Sequence, residues 1–153
     1  MKKTFFLLLF CLFCIFPLSV FAIDYKIPSY QGDLYIHADN RAEFRQKIVY
    51  QFEDDFNGQL VGLGRAGKMP SGFQIDPHPK VQVFKNGLEI AGVESQVIEE
   101  TEGYTVKIFN PGQEGDTVEV DITWNLKNLL FLYDDIAELN WQPLTDSSGA
   151  IGK

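Results

Sequence analysis

Cysteine is almost missing from this chain. The two it has, Cys11 and Cys14, both fall within the first 22 residues. A chain trimmed of that segment has no thiol, which excludes disulfides, thiolate catalysis and cysteine-held metals. Phe10 and Phe13 stand before the two cysteines, where a lipid-modified cysteine needs a small residue. Histidine is as scarce: there are only His37 and His78, and nothing in their spacing brings them together. The Asp76-Pro77-His78-Pro79 run is a stiff loop rather than a metal site. Positive charge is also short. Setting aside Lys2 and Lys3 from the 13 basic residues leaves 11 against 21 acidic ones, a net of −10. That balance opposes binding to nucleic acid or to anionic lipid head groups. Helical periodicity is lacking too, since no apolar repeat of three to four residues persists beyond Ala22 for more than two turns.

What is present begins with an export signal. Lys2 and Lys3 form a basic start, and residues 5–16 are an apolar run too short to span a bilayer. Pro17 and Ser19 break it, and Val20-Phe21-Ala22 offers small residues at the positions a signal peptidase reads. The expected organisation is a signal helix over 1–22, one domain over 23–144, and a linker or the start of a further strand over 145–153. The expected location is outside the cytoplasmic membrane, or secreted.

The rest alternates with a period of two, the mark of strands with one buried face. Residues 23–27 and 34–38 are short alternating runs either side of a turn at Gln31-Gly32-Asp33. From 42 to 52, Ala42, Phe44, Gln46, Ile48, Tyr50 and Phe52 share one face against Glu43, Arg45, Lys47, Val49 and Gln51 on the other. Residues 53–80, rich in Gly and Pro, are expected as a long crossover with a short strand near Leu60. Asn86-Gly87 marks a tight hairpin, and a second hairpin closes at Glu102-Gly103. In residues 116–126, Val118, Val120, Ile122, Trp124 and Leu126 form one apolar face. About eight such strands predict an all-β, antiparallel, immunoglobulin-like sandwich, with a β-barrel as the alternative.

Two stretches invite a chemical interpretation. Gly62-Leu63-Gly64-Arg65-Ala66-Gly67-Lys68 satisfies both glycine-rich phosphate patterns. Met69 replaces the hydroxyl residue a P-loop needs, and Pro70 and Gly72 prevent a following helix. A bending loop is the expectation, with no cofactor. The second stretch is 133–141. Asp134, Asp135 and Glu138 could serve as a cation site or an acid/base pair. Asp135-x-x-Glu138 also has capping-box spacing, which predicts a single helical turn over 136–139. Tyr133 and Trp141 are candidates for stacking on a ligand, whereas Trp124 lies on a core face.

Gly32-Asp33-Leu34-Tyr35, Tyr50-Gln51-Phe52, Gly58-Gln59-Leu60-Val61-Gly62-Leu63-Gly64-Arg65 and above all Tyr133-Asp134-Asp135-Ile136-Ala137-Glu138-Leu139-Asn140-Trp141 resemble one family. It is the N-terminal extracellular part of the bacterial predicted membrane proteins called domain of unknown function 2207. The resemblance implies a β-rich outer domain followed by a further strand and transmembrane helices; with the sequence ending at Lys153, a truncated reading frame or a fragment is the expectation. It implies no catalytic residues. The expected function is a non-catalytic envelope domain binding an unknown protein or cell-wall component, attached to the membrane through a missing C-terminal segment. A calcium-dependent or carbohydrate-binding adhesion module, or a glycan hydrolase using Asp135 and Glu138, are the alternatives.

Overall fold

A computed structural model describes residues 23–145 and 148–152. The segment expected to be a signal lies outside them. Among the described residues there is no helix, and hence none long and apolar enough to cross a membrane. The strands are β1 (Tyr25–Ile36), β2 (Arg41–Phe52), β3 (Phe56–Gly64), β4 (Ala66–Gly67), β5 (Gln74–Ile75), β6 (Lys80–Lys85) and β7 (Leu88–Glu89). They continue as β8 (Glu94–Glu100), β9 (Gly103–Gly112), β10 (Thr117–Lys127), β11 (Phe131–Leu132), β12 (Ala137–Glu138), β13 (Trp141–Gln142) and β14 (Gly149–Ile151). All pairings are antiparallel.

The larger sheet runs β1-β2-β10-β6-β7, with β5 sharing the β6 side of β10. The second runs β14-β3-β9-β8. Both are open, so the barrel alternative is not formed. β2 and β10 lie at the middle of the first sheet because each is apolar on every second residue. Ala42, Phe44, Gln46, Ile48, Tyr50 and Phe52 are all buried, and so are Val118, Val120, Ile122, Trp124 and Leu126. Their register sets Phe44 opposite Trp124 and Ile48 opposite Val120. From the second sheet, Val61, Leu63, Tyr104, Val106 and Ile108 join the same core. Each large side chain so enclosed stabilises the fold by about 1.5–3 kcal/mol relative to exposure. The Tyr50 hydroxyl donates to the Leu60 carbonyl at 3.1 Å, and the Tyr104 and Trp124 rings lie 5.7 Å apart, so the two faces meet directly. On the outer face Asp121 is covered by Arg45, whose Nε donates to it at 2.7 Å while Nη2 holds the other oxygen.

Three local expectations change. β1 runs unbroken through Gln31-Gly32-Asp33, and the reversal comes at residues 37–40. Pairing to β2 overrides the turn signal there, and the Phe44 ring lies across Gly32. Pro28 is tolerated because β1 is an edge strand, and the register shifts between Lys26 and Ser29. The presumed crossover contains the nine-residue β3, whose glycines are buried in the sheet and not in a loop. The helical turn over 136–139 is instead the β11–β12 hairpin, closed by Tyr133 N–H donating to the Ile136 carbonyl at 2.9 Å. Residues 149–151 form β14 on the edge of β3, and Asn57 Nδ2 donates to the Gly152 carbonyl at 2.6 Å. A methyl group placed on Gly152 would lie 3.6 Å from Ile23, so the two ends of the described domain are neighbours.

Candidate functional site

The glycine-rich motif serves backbone packing. Gly62 and Gly64 belong to β3 and Gly67 to β4, and no helix N-terminus follows them. β13 lies across this segment, with Trp141 opposite Gly67 and Gln142 opposite Ala66. Gly64 N–H donates to the Pro143 carbonyl at 2.6 Å, and a Cβ on Gly64 would come within 2.8 Å of the Gln142 carbonyl oxygen. Only glycine fits so near an approach. Trp141 closes the clasp: its Nε1 donates to the Gly64 carbonyl at 3.0 Å, and its ring meets Phe44 edge-on at 5.1 Å.

The acidic-aromatic stretch is split by this arrangement. Asp134, Asp135 and Glu138 are exposed on the β11–β12 hairpin, and Tyr133 is exposed beside them. Trp141 is half-buried inside its own chain. Among the described residues no group of three or more His, Cys, Asp or Glu side chains is placed to hold a metal ion.

A different place gathers functional groups. A cleft of about 890 Å³ opens at the end of the larger sheet where β2 begins and β10 ends, within the size range of small-molecule sites. Its polar lining is His37, Arg41, Glu43, Arg65, Asp76 and Lys127; its apolar lining includes Phe73, Ile75, Tyr104 and Leu126. The 37–40 turn builds one wall. His37 N–H donates to the Arg41 carbonyl at 2.8 Å, and Asn40 adopts a left-handed φ of 62°. The Asn40 side chain accepts from Leu130 N–H at 2.8 Å and donates to the Leu130 carbonyl at 3.0 Å, pinning the base of the hairpin beside the cleft. The short β5 builds the other wall, pairing Ile75 with Leu126 and Gln74 with Lys127.

The charges in the cleft are individually oriented. Arg65 Nη2 donates to Tyr104 Oη at 2.7 Å and to Glu99 at 2.9 Å, and its guanidinium sits 4.9 Å from the centre of the Tyr104 ring. The Glu99 hydrogen bond raises the Arg65 pKa still further. Arg41 Nε donates to Asp39 at 2.6 Å, and that bond holds the Asp39 carboxyl below its ordinary range. Asp76 is lowered likewise, first by the His78 backbone N–H at 3.0 Å and then by the His78 ring. Lys127 makes no salt bridge among the described residues. Arg41, Lys127 and the aromatic pair Phe73 and Tyr104 carry no sequence signal as a site, because only cross-strand register brings them together. Arg65 stood out in the sequence solely as part of the glycine motif.

The molecule is thus an all-β domain of two facing antiparallel sheets with one chemically mixed end cleft. The chain belongs to the family described as predicted membrane protein (DUF2207) N-terminal domain, which matches residues 26–150. No curated protein and no solved structure matches it.

Proposed function

We propose that the chain is a non-catalytic, extracellular ligand-binding domain of a bacterial membrane protein, an immunoglobulin-like sandwich whose end cleft is the binding site. The observation that carries this is the cleft itself, where donors, acceptors and aromatic side chains from five segments converge. Two further features support binding without catalysis. The carboxylates 134, 135 and 138 lie on an exposed hairpin outside the cleft lining. Asp76, which does line it, has its pKa lowered by His78, whereas a general acid needs the opposite shift. Membership of a membrane-protein family supports presentation at the cell envelope.

The test is co-sedimentation of the purified protein with isolated envelope fragments. Wild type is expected to be retained. Gln74→Trp, an exposed cleft-wall residue turned into a bulky plug, is expected to lose retention without losing its melting transition. Release of soluble sugar from the fragments, abolished in Glu138→Gln, would overturn the proposal, as would equal retention of the plugged variant.

A further inference from the structure

We infer that the end cleft takes a compact anion, a carboxylate or a phosphate monoester, carried on an apolar or ring-bearing body. This rests on the binding function proposed above and names the class of ligand. The chain carries a net charge of −8, yet Arg41, Arg65 and Lys127 all line this one cavity. Their donor capacity is largely unspent. A guanidinium has five N–H donors; Arg65 commits only Nη2, leaving Nε and Nη1 without an acceptor among the described residues. Nη2 belongs to both two-nitrogen edges of the fork, so Arg65 offers an oxyanion single bonds from Nε and Nη1, beside the Tyr104 ring whose centre lies 4.9 Å from the guanidinium. Arg41 commits Nε to Asp39, and its Nη1/Nη2 edge makes no hydrogen bond among the described residues. Lys127 makes no salt bridge among the described residues, and its charge acts on Asp76 across the cleft.

The two carboxylates that line the cleft each have a histidine beside them. Asp76 accepts from the His78 backbone and faces its ring at 3.2 Å, and Glu43 lies 4.0 Å from His37 Nε2. Asp39 and Glu99, the partners of Arg41 and Arg65, flank the cations. With Glu43 and Asp76 they set four carboxylates against the three cations, so a compact anion is held by the open donor edges and not by surplus positive charge, and a longer polyanion is repelled. Phe73, Ile75 and Leu126 provide the apolar surface that a ring or chain would cover.

Isothermal titration of the purified protein with phenyl phosphate, phenylacetate and benzyl alcohol tests the inference at low salt. At least one of the two anions is expected to bind, and the arm that does so separates phosphate from carboxylate. Benzyl alcohol, which keeps the ring but lacks the charge, is expected to bind at least about tenfold more weakly. Arg65→Gln is expected to weaken the anion by about tenfold or more, the scale of a charge-assisted hydrogen bond. Lys127→Gln, at an exposed position that cannot disturb folding, is expected to weaken it less. Equal binding of benzyl alcohol would overturn the inference, as would an affinity unchanged in the Arg65→Gln/Lys127→Gln double variant. Silence from both anions would also overturn it, and if Gln74→Trp still abolished envelope retention the cleft would stand as a site for an uncharged ligand.

Discussion

Trp124 donates its indole N–H to Gln46 Oε1 at 2.9 Å in the middle of the core, where both side chains are sealed from solvent. The other end of the same amide donates to the Gly62 carbonyl at 2.9 Å and to Tyr30 Oη at 3.0 Å. One glutamine therefore satisfies β1, β3 and β10 at once. Burying a polar group costs free energy unless its hydrogen bonds are made, and here all are made. Gln46→Leu strands the indole N–H and the Gly62 carbonyl together, and should cost about 3 kcal/mol by urea unfolding. Gln46→Leu combined with Trp124→Phe should cost clearly less than the sum of the two single changes. Simple additivity would show that the two groups are not coupled.

Gln59 presents the opposite case. Its side chain is fully buried in β3, yet neither amide atom has a partner within hydrogen-bonding distance among the described residues. Gln59→Leu removes that desolvated amide while keeping the volume, and should stabilise the protein by about 1–2 kcal/mol. A fall in the urea midpoint would show that the amide is contributing.

Acid should weaken the turn before β10. Asp116 Oδ2 accepts from Gln113 N–H at 3.0 Å and Oδ1 from Asn86 Nδ2 at 2.8 Å, and these bonds, the backbone one first, lower its pKa from the ordinary 3.8. A carboxyl whose folded pKa lies below its unfolded one contributes stability above the ordinary value. That contribution is lost as pH falls through the lowered one. The loss of stability between pH 5 and the acid limit should therefore be smaller in Asp116→Asn than in wild type. Parallel curves for the two proteins would count against the assignment.

The clasp over β4 depends on a glycine that no other residue replaces. Gly67 has φ of 109° and lies against the Asn140 carbonyl. Gly67→Ala imposes both strain and a clash, of the order of 1–3 kcal/mol for the backbone alone. Residues 139–145 should become sensitive to limited proteolysis while the β2–β10 core keeps its protection. Unchanged cleavage there would mean the clasp tolerates the methyl group.

Much of the sheet framework was legible because burial and spacing agree. β2 and β10 alternate so strictly that their inner faces could be named in advance, and Asn86-Gly87 forms the expected turn with φ of 51° and 81°. The strand expected near Leu60 is the longer β3, and its full length was missed for a physical reason: glycines demanded by neighbouring backbones look, in one dimension, like a loop. The 136–139 turn was misjudged because capping-box spacing is compatible with a hairpin when Phe131 and Glu138 find each other across it. The conspicuous carboxylates of 134–138 drew attention by being adjacent in sequence. The cleft was invisible because Arg41, Arg65, Phe73 and Lys127 come from separate strands and loops and meet only through the registers of β2, β5 and β10.

The placement of Ile23 beside Gly152 gives the domain a reach. These neighbours sit at the Phe52 end of β2, where Tyr25 pairs with Phe52, while the cleft opens at its Arg41 end. A strand of that span, at about 3.3 Å per residue, separates them by roughly 35 Å. The cleft and the neighbouring residues Ile23 and Gly152 therefore lie at opposite ends of the larger sheet.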